Sequence, residues 1–127
     1  MKSNLSFENK TILIVEDVET SIKFFEAALK STNAKLLYAE TGEEAIDIVD
    51  KTPDLSLVLL DLNLPEINGF EVLKHIRNKN KELPVIVQSA YVLSGEKEQS
   101  IKMGANDFLE KPIRLDVLLD AIKQYLN

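Results

Sequence analysis

Residues 56–65 read Ser56-Leu57-Val58-Leu59-Leu60-Asp61-Leu62-Asn63-Leu64-Pro65, an aliphatic run that ends on a carboxylate. Such a run suits a strand buried on both faces, since a strand with one wet face would alternate apolar and polar residues. Thr11–Val15 and Pro84–Gln88 have the same character, and Lys35–Ala39 and Asn106–Leu109 have strand length.

The segments between these runs change to a helical period. Ile22, Phe25 and Leu29 are spaced three and four apart, as are Ala45 or Ile46 with Val49, and Phe70, Leu73 and Ile76. Leu115, Leu118, Ile122 and Leu126 follow the last run in the same way. Strand followed by helix, five times over, predicts a single doubly wound α/β domain, because right-handed crossovers give a five-stranded parallel sheet with helices on both faces. The fourth helical segment, Ser94–Met103, is the weakest: only Ile101 and Met103 are apolar, so it should be held loosely and be open to movement.

Composition bounds the rest. The 127 residues suit one domain, with 45% hydrophobic and 28% charged residues, which argues against disorder. A formal net charge of −6 argues against direct nucleic-acid binding. With no cysteine, disulfides and thiolate metal sites are excluded. Neither a signal-peptide run nor a stretch of ~20 apolar residues is present, so the expectation is a cytoplasmic chain that does not enter the membrane, with no output domain attached.

In a parallel sheet of this kind ligands bind beyond the carboxyl ends of the strands. There the expected strand ends place Glu16-Asp17, Asp61, Ser89-Ala90 and Lys111-Pro112. Three carboxylates at one edge repel each other unless a cation intervenes, and Mg2+, which takes oxygen ligands and keeps several waters, suits them. The backbone carbonyl of Asn63 is a further candidate ligand. Asp61, at the end of the most apolar strand, is the candidate nucleophile toward phosphorus. Lys111 can neutralise a phosphate oxygen, and the Ser89 hydroxyl can donate a hydrogen bond to another.

Glu16-Asp17, the run Leu60-Asp61-Leu62-Asn63-Leu64-Pro65-Glu66-Ile67-Asn68-Gly69, Ser89-Ala90 and Lys111-Pro112 together resemble the receiver domain of two-component response regulators. The resemblance runs from about Lys10 to Leu126, leaving residues 1–9 as an N-terminal extension and 10–127 as the receiver unit. It implies a flavodoxin-like sheet of strand order 2-1-3-4-5. By position, Glu16 and Asp17 resemble the acidic pair that holds magnesium and Asp61 the phosphoacceptor. Asn63 is similar to the carbonyl ligand, Ser89 to the switch hydroxyl, Lys111 to the phosphate-binding lysine and Phe108 to the switch aromatic.

The implied function is to take a phosphoryl group from a histidine kinase or phosphotransfer domain and to switch conformation. Self-phosphorylation and autodephosphorylation would be the only chemistry, so the chain is read as a signalling switch, not an enzyme. An output partner or a homodimer would use helix four, strand five and helix five. Three departures concern rates: Glu16 stands where Asp is commoner, so its metal contact can run through water; Leu64 replaces a frequent Met; and Phe108 lacks the hydroxyl of the common tyrosine.

A phosphatase using an aspartyl phosphate would carry an acid/base aspartate where Asn63 stands, and would place the pair after the first strand. A flavin or nucleotide module needs a phosphate-cradling loop after strand one, yet Val15-Glu16-Asp17-Val18-Glu19-Thr20 has three acids and no glycine. A receiver-like chain that only binds partners would not need all five elements. His75, the single histidine, is read as a surface residue, and Phe24, about 100° around helix one from Phe25, as an exposed anchor for the kinase or phosphotransfer domain.

Overall fold

A computed structural model describes residues 6–90 and 95–126. Along the chain run β1 (Thr11–Val15), α1 (Glu19–Leu29), β2 (Lys35–Ala39), α2 (Gly42–Lys51), β3 (Leu57–Asp61), α3 (Gly69–Lys79), β4 (Val85–Ser89), α4 (Glu96–Lys102), β5 (Asp107–Glu110) and α5 (Leu115–Leu126). The strands form one sheet in the order β2-β1-β3-β4-β5, every pair parallel. The doubly wound fold expected from the sequence is the fold observed.

Strand alternation divides the aliphatic runs between two layers. Leu13, Val15, Val58, Leu60, Val85 and Val87 pack with Ala45 of α2 and Val72, Leu73 and Ile76 of α3. Ile12, Ile14, Leu57, Leu59 and Ile86 face the other way, onto Phe25 and Leu29 of α1 and Leu118, Ile122 and Leu126 of α5. Phe7, which lies ahead of any periodic pattern, joins this second layer, and its N–H donates to the Thr32 carbonyl at 2.6 Å. β3 and β4 are buried at every residue, as continuous apolar runs require, whereas the outer strand β2 is buried only at Ala39.

Two boundaries move in a way that bears on the site. The sequence places Asp61 and Ser89 just past their strands, yet each is the last residue of its strand. Backbone pairing continues through them: Asp61 pairs in register with Gln88, and Ser89 with Glu110. The Leu62 N–H then donates to Gln88 O at 3.1 Å, and the Lys111 N–H to Ser89 O at 2.9 Å. Both side chains therefore leave from the rigid ladder.

Helix stripes need two corrections. Leu115, expected on the core stripe of α5, is 49% exposed because it opens the first turn, before Leu118 meets the sheet. In α4 the single buried residue is Ser100, whose Oγ donates to the Lys97 carbonyl at 3.0 Å, while Ile101 faces solvent. Ser94 of the expected fourth segment lies outside the described residues.

Candidate functional site

The turn after β3 is set by glycine. A Cβ on Gly69 would lie 2.5 Å from the Asp61 carbonyl oxygen and 2.5 Å from the Leu62 Cα, so only glycine lets α3 start this close to the strand end. The Gly69 N–H donates to the Leu62 carbonyl at 3.0 Å, and the Asn68 side chain caps α3 by accepting from the Glu71 N–H at 3.2 Å. The loop carrying Asn63 is thus fastened at both ends.

Within it, the Asn63 N–H donates to Asp61 Oδ1 at 2.9 Å, which holds the carboxylate in one orientation. Asp61 Oδ2 accepts from Lys111 Nζ at 3.0 Å, and Glu16 Oε1 accepts from the same Nζ at 2.8 Å. The other Glu16 oxygen accepts from the Val18 N–H at 3.1 Å. Ser89 Oγ donates to Asn63 Oδ1 at 3.2 Å across the top of β3 and β4. Lys111 precedes Pro112 through a cis peptide bond.

Glu16 and Asp61 are buried, and Asp17 is exposed. Burial pushes the Glu16 carboxyl up; Lys111 partly offsets this, and the neighbouring Asp61 charge adds to it. Burial by itself pulls the Lys111 ammonium down, but hydrogen bonds and charge from Glu16 and Asp61 outweigh it and raise the ammonium above its ordinary value. One lysine thus stands between two buried carboxylates, a cluster two positive charges short of neutrality once Asp17 is counted.

Carboxylate oxygens of Glu16, Asp17 and Asp61 come within 4.8 Å of one another, a hard all-oxygen set that fits a divalent cation such as magnesium. Because both Glu16 oxygens already accept a protein donor, a water-bridged metal contact suits it better than a direct one. The structure therefore brings together the residues that the sequence set at the strand ends: Glu16, Asp17, Asp61, Asn63, Ser89 and Lys111.

Phe108 lies apart from them, buried in the α2–α3 layer and in register with Val87.

Other expectations shift. Phe24 is half-buried where the sequence reading has it exposed, edge-on to Phe25 with ring centroids 5.5 Å apart and planes at 61°. His75 is half-buried and paired: its Nε2 lies 2.8 Å from Asp50 Oδ1, and Lys79 Nζ is 3.1 Å from the same oxygen, tying α3 to α2. The spacing of His75 and Lys79 on one helical face was the available signal.

Comparison with known proteins agrees with this geometry. Residues 12–123 match the family model for the response regulator receiver domain. Among curated relatives, the polar-differentiation response regulator DivK of Brucella anthropi is 32% identical over 121 residues, covering 93% of this chain and 97% of that protein. The receiver domain of the Pseudomonas aeruginosa PAO1 sensor histidine kinase PA1611, solved with a magnesium ion in its active site cleft, superposes with a TM-score of 0.84 at 26% identity, over 92% of this chain and 97% of its own. The NtrX receiver domain of Brucella abortus gives a TM-score of 0.83 at 26% identity, over 91% and 97% of the two chains. With a match spanning nearly its whole length and the strand-end carboxylates in place, the chain belongs to the response regulator receiver domain family and is a signalling switch of two-component systems.

Proposed function

We propose that Asp61 accepts a phosphoryl group from a phosphohistidine of a histidine kinase or phosphotransfer domain. The observation that carries this is the placement of Asp61: it ends a fully buried strand, with Lys111 Nζ 3.0 Å from Oδ2 and the oxygens of Glu16 and Asp17 alongside. An Asp61 oxygen attacks phosphorus, the P–N bond to the donor imidazole breaks, and its electron pair stays on the imidazole nitrogen. Transfer of this kind depends mainly on positioning and charge neutralisation.

Glu16, Asp17, Asp61 and the Asn63 carbonyl would hold magnesium, which when bound supplies positive charge to the phosphoryl oxygens. Lys111 takes one of those oxygens by turning from its Asp61 bond, while Glu16 keeps it in reach at 2.8 Å. The Asn63 N–H fixes the attacking carboxylate, and the Ser89 hydroxyl leaves Asn63 Oδ1 to donate to the new group. Movement of Ser89 then reaches α4 and Phe108. Self-phosphorylation by small phosphodonors and autodephosphorylation use the same groups.

The unit spanning 10–127, with 1–9 as an extension fastened at Phe7, works in the cytoplasm on this reading. A partner or a second copy reads out the state on α4, β5 and α5, where Ile101 is 44%, Leu115 49% and Val117 41% exposed. Among the described residues no helix is long and apolar enough to cross a membrane.

Intact mass after incubation with magnesium and acetyl phosphate tests the reading. The wild type gains one phosphoryl mass, about 80 Da, only with magnesium, and Asp61→Asn gains none. A gain in both proteins would move the acceptor elsewhere. Rapid turnover of a small phosphomonoester would favour a phosphatase.

A further inference from the structure

The end of the sheet opposite Asp61 carries a polar hub centred on one arginine. Arg77, half-buried in the last turn of α3, donates from Nε to the Gly104 carbonyl at 2.8 Å, from one terminal nitrogen to the Asn80 carbonyl at 3.0 Å, and from the other to Asn106 Oδ1 at 2.9 Å. All three acceptors are neutral, so what the guanidinium supplies is a rigid fork of charge-assisted donors rather than an ion pair. Asn106 extends the hub. Its Oδ1 also accepts from the Val85 N–H at 2.9 Å, and its carbonyl accepts from the Tyr125 hydroxyl at 2.8 Å. The end of α3, the start of β4, the entry to β5 and the end of α5 are thereby joined.

The two ends of α4 differ in what holds them. The C-terminal end closes in a Schellman turn: the Gly104 N–H donates to the Ile101 carbonyl at 3.0 Å and the Ala105 N–H to the Ser100 carbonyl at 2.9 Å, with Gly104 at φ +109°. The Arg77 stem lies against that turn, since a Cβ on Gly104 would stand 3.0 Å from its Cγ, Cδ and Nε. At the other end Gly95 is also left-handed, at φ +85°, but it brings no side-chain cap, and among the described residues a Cβ there would meet nothing within 4 Å. A helix of seven residues is too short to hold itself, so its position is set by whichever end is fastened.

We infer that α4 is hinged at its C-terminal end, with Arg77 as the positioning residue that fastens the hinge. Displacement of α4 is then a swing about Gly104, greatest at Glu96, and not a slide of the whole helix. Because Asn106 leads into β5 and bonds Tyr125 of α5, the same arginine keeps the pivot in register with the other two elements of that face. The hinge is a property of the unmodified chain; only its use in signalling rests on phosphorylation of Asp61.

Native-state amide exchange of the uniformly 15N-labelled full chain, without phosphodonor, tests the hinge. Protection of the Ala105 N–H should exceed that of the Gln99 N–H, which donates to the Gly95 carbonyl at 3.0 Å, by about tenfold. Arg77→Met, which keeps an apolar stem, and Arg77→Lys, which keeps the charge without the fork, should each erase that difference. Equal or reversed protection at the two ends of the wild-type helix would overturn the hinge, a result that needs no variant to fold. An unchanged difference in either folded variant would overturn the part given to Arg77. Amide shifts on adding magnesium and acetyl phosphate then test the use of the hinge: they should fall from Glu96 to Gly104 in the wild type and spread to Gly104 and Asn106 in Arg77→Lys. Shifts uniform along α4, in protein whose mass shows the phosphoryl group, would overturn the swing. Failure to gain that mass would count against the phosphoryl reading alone and leave the exchange difference to judge the hinge.

Discussion

β3 and α4 are neighbours in function but opposites in construction. Every residue of β3 is buried, its backbone is paired on both sides, and the turn that leaves it is locked by the close approach of Gly69. α4 spans seven residues, buries only Ser100, opens on Gly95 in the left-handed region without a side-chain cap, and leaves Ile101 in solvent. An acceptor must be held still for in-line transfer, whereas an element that reports a modification must be cheap to move. On the proposed function, the contrast fits positioning at the centre of the sheet and response at its edge.

The sharpest way to break the contrast is to disturb the rigid end. Lys111→Met leaves Glu16, Asp17 and Asp61 at one edge with no cation, two of them buried. Unfolding in magnesium-free buffer should lose about 3 kcal/mol, as when one partner of a buried pair is removed. Because magnesium binds the native cluster, a concentration of a hundredfold its dissociation constant should recover about 2.7 kcal/mol. An unchanged denaturation midpoint would mean that the site is far wetter than its geometry implies.

Next comes Gly69→Ala, which drives a methyl into the Asp61 carbonyl and the Leu62 Cα. A loss of about 2 kcal/mol is expected. Phosphorylation by acetyl phosphate should slow with it, since α3 and the Asn63 loop must shift. Full stability with full labelling would show that the turn is less tightly determined than β3 itself.

At the loose end the expected effects are small. Ile101→Ala should stay within about 0.5 kcal/mol of the wild type, because 44% of its surface is in water already. Amide exchange should be fastest in α4 and slowest in β3 and β4. Protection of α4 equal to that of the central strands would remove the distinction between the two regions.

Much of this was legible in the sequence, for identifiable reasons. Uninterrupted aliphatic runs such as Leu57–Leu60 announce strands covered on both faces, and the residues of the site stand where those runs stop. What side-chain pattern does not carry is where the backbone ladder ends, so Asp61 and Ser89 were placed one step outside their strands. Nor does it carry packing between elements. The Asp50–His75 pair exists because α2 lies against α3, and Phe24 is half-buried because α1 lies beside α5. Gln88 looked like one polar letter in an apolar run until its burial and unpaired amide were visible.

That same α2–α3 tie supplies the smallest test, away from both regions. Hydrogen bonds from His75 and then Lys79 hold the Asp50 carboxyl below its ordinary value. A carboxyl with a depressed folded pKa stabilises the protein above its unfolded value of about 4 and loses that contribution as pH falls through the folded value. Asp50→Asn should therefore be slightly less stable than the wild type at pH 7 and converge with it in acid, read from urea midpoints across pH. The gap should also shrink at high salt, since Asp50 and Lys79 are solvent-accessible. A gap that persisted at pH 2 could not come from the carboxylate charge and would point instead to packing between α2 and α3.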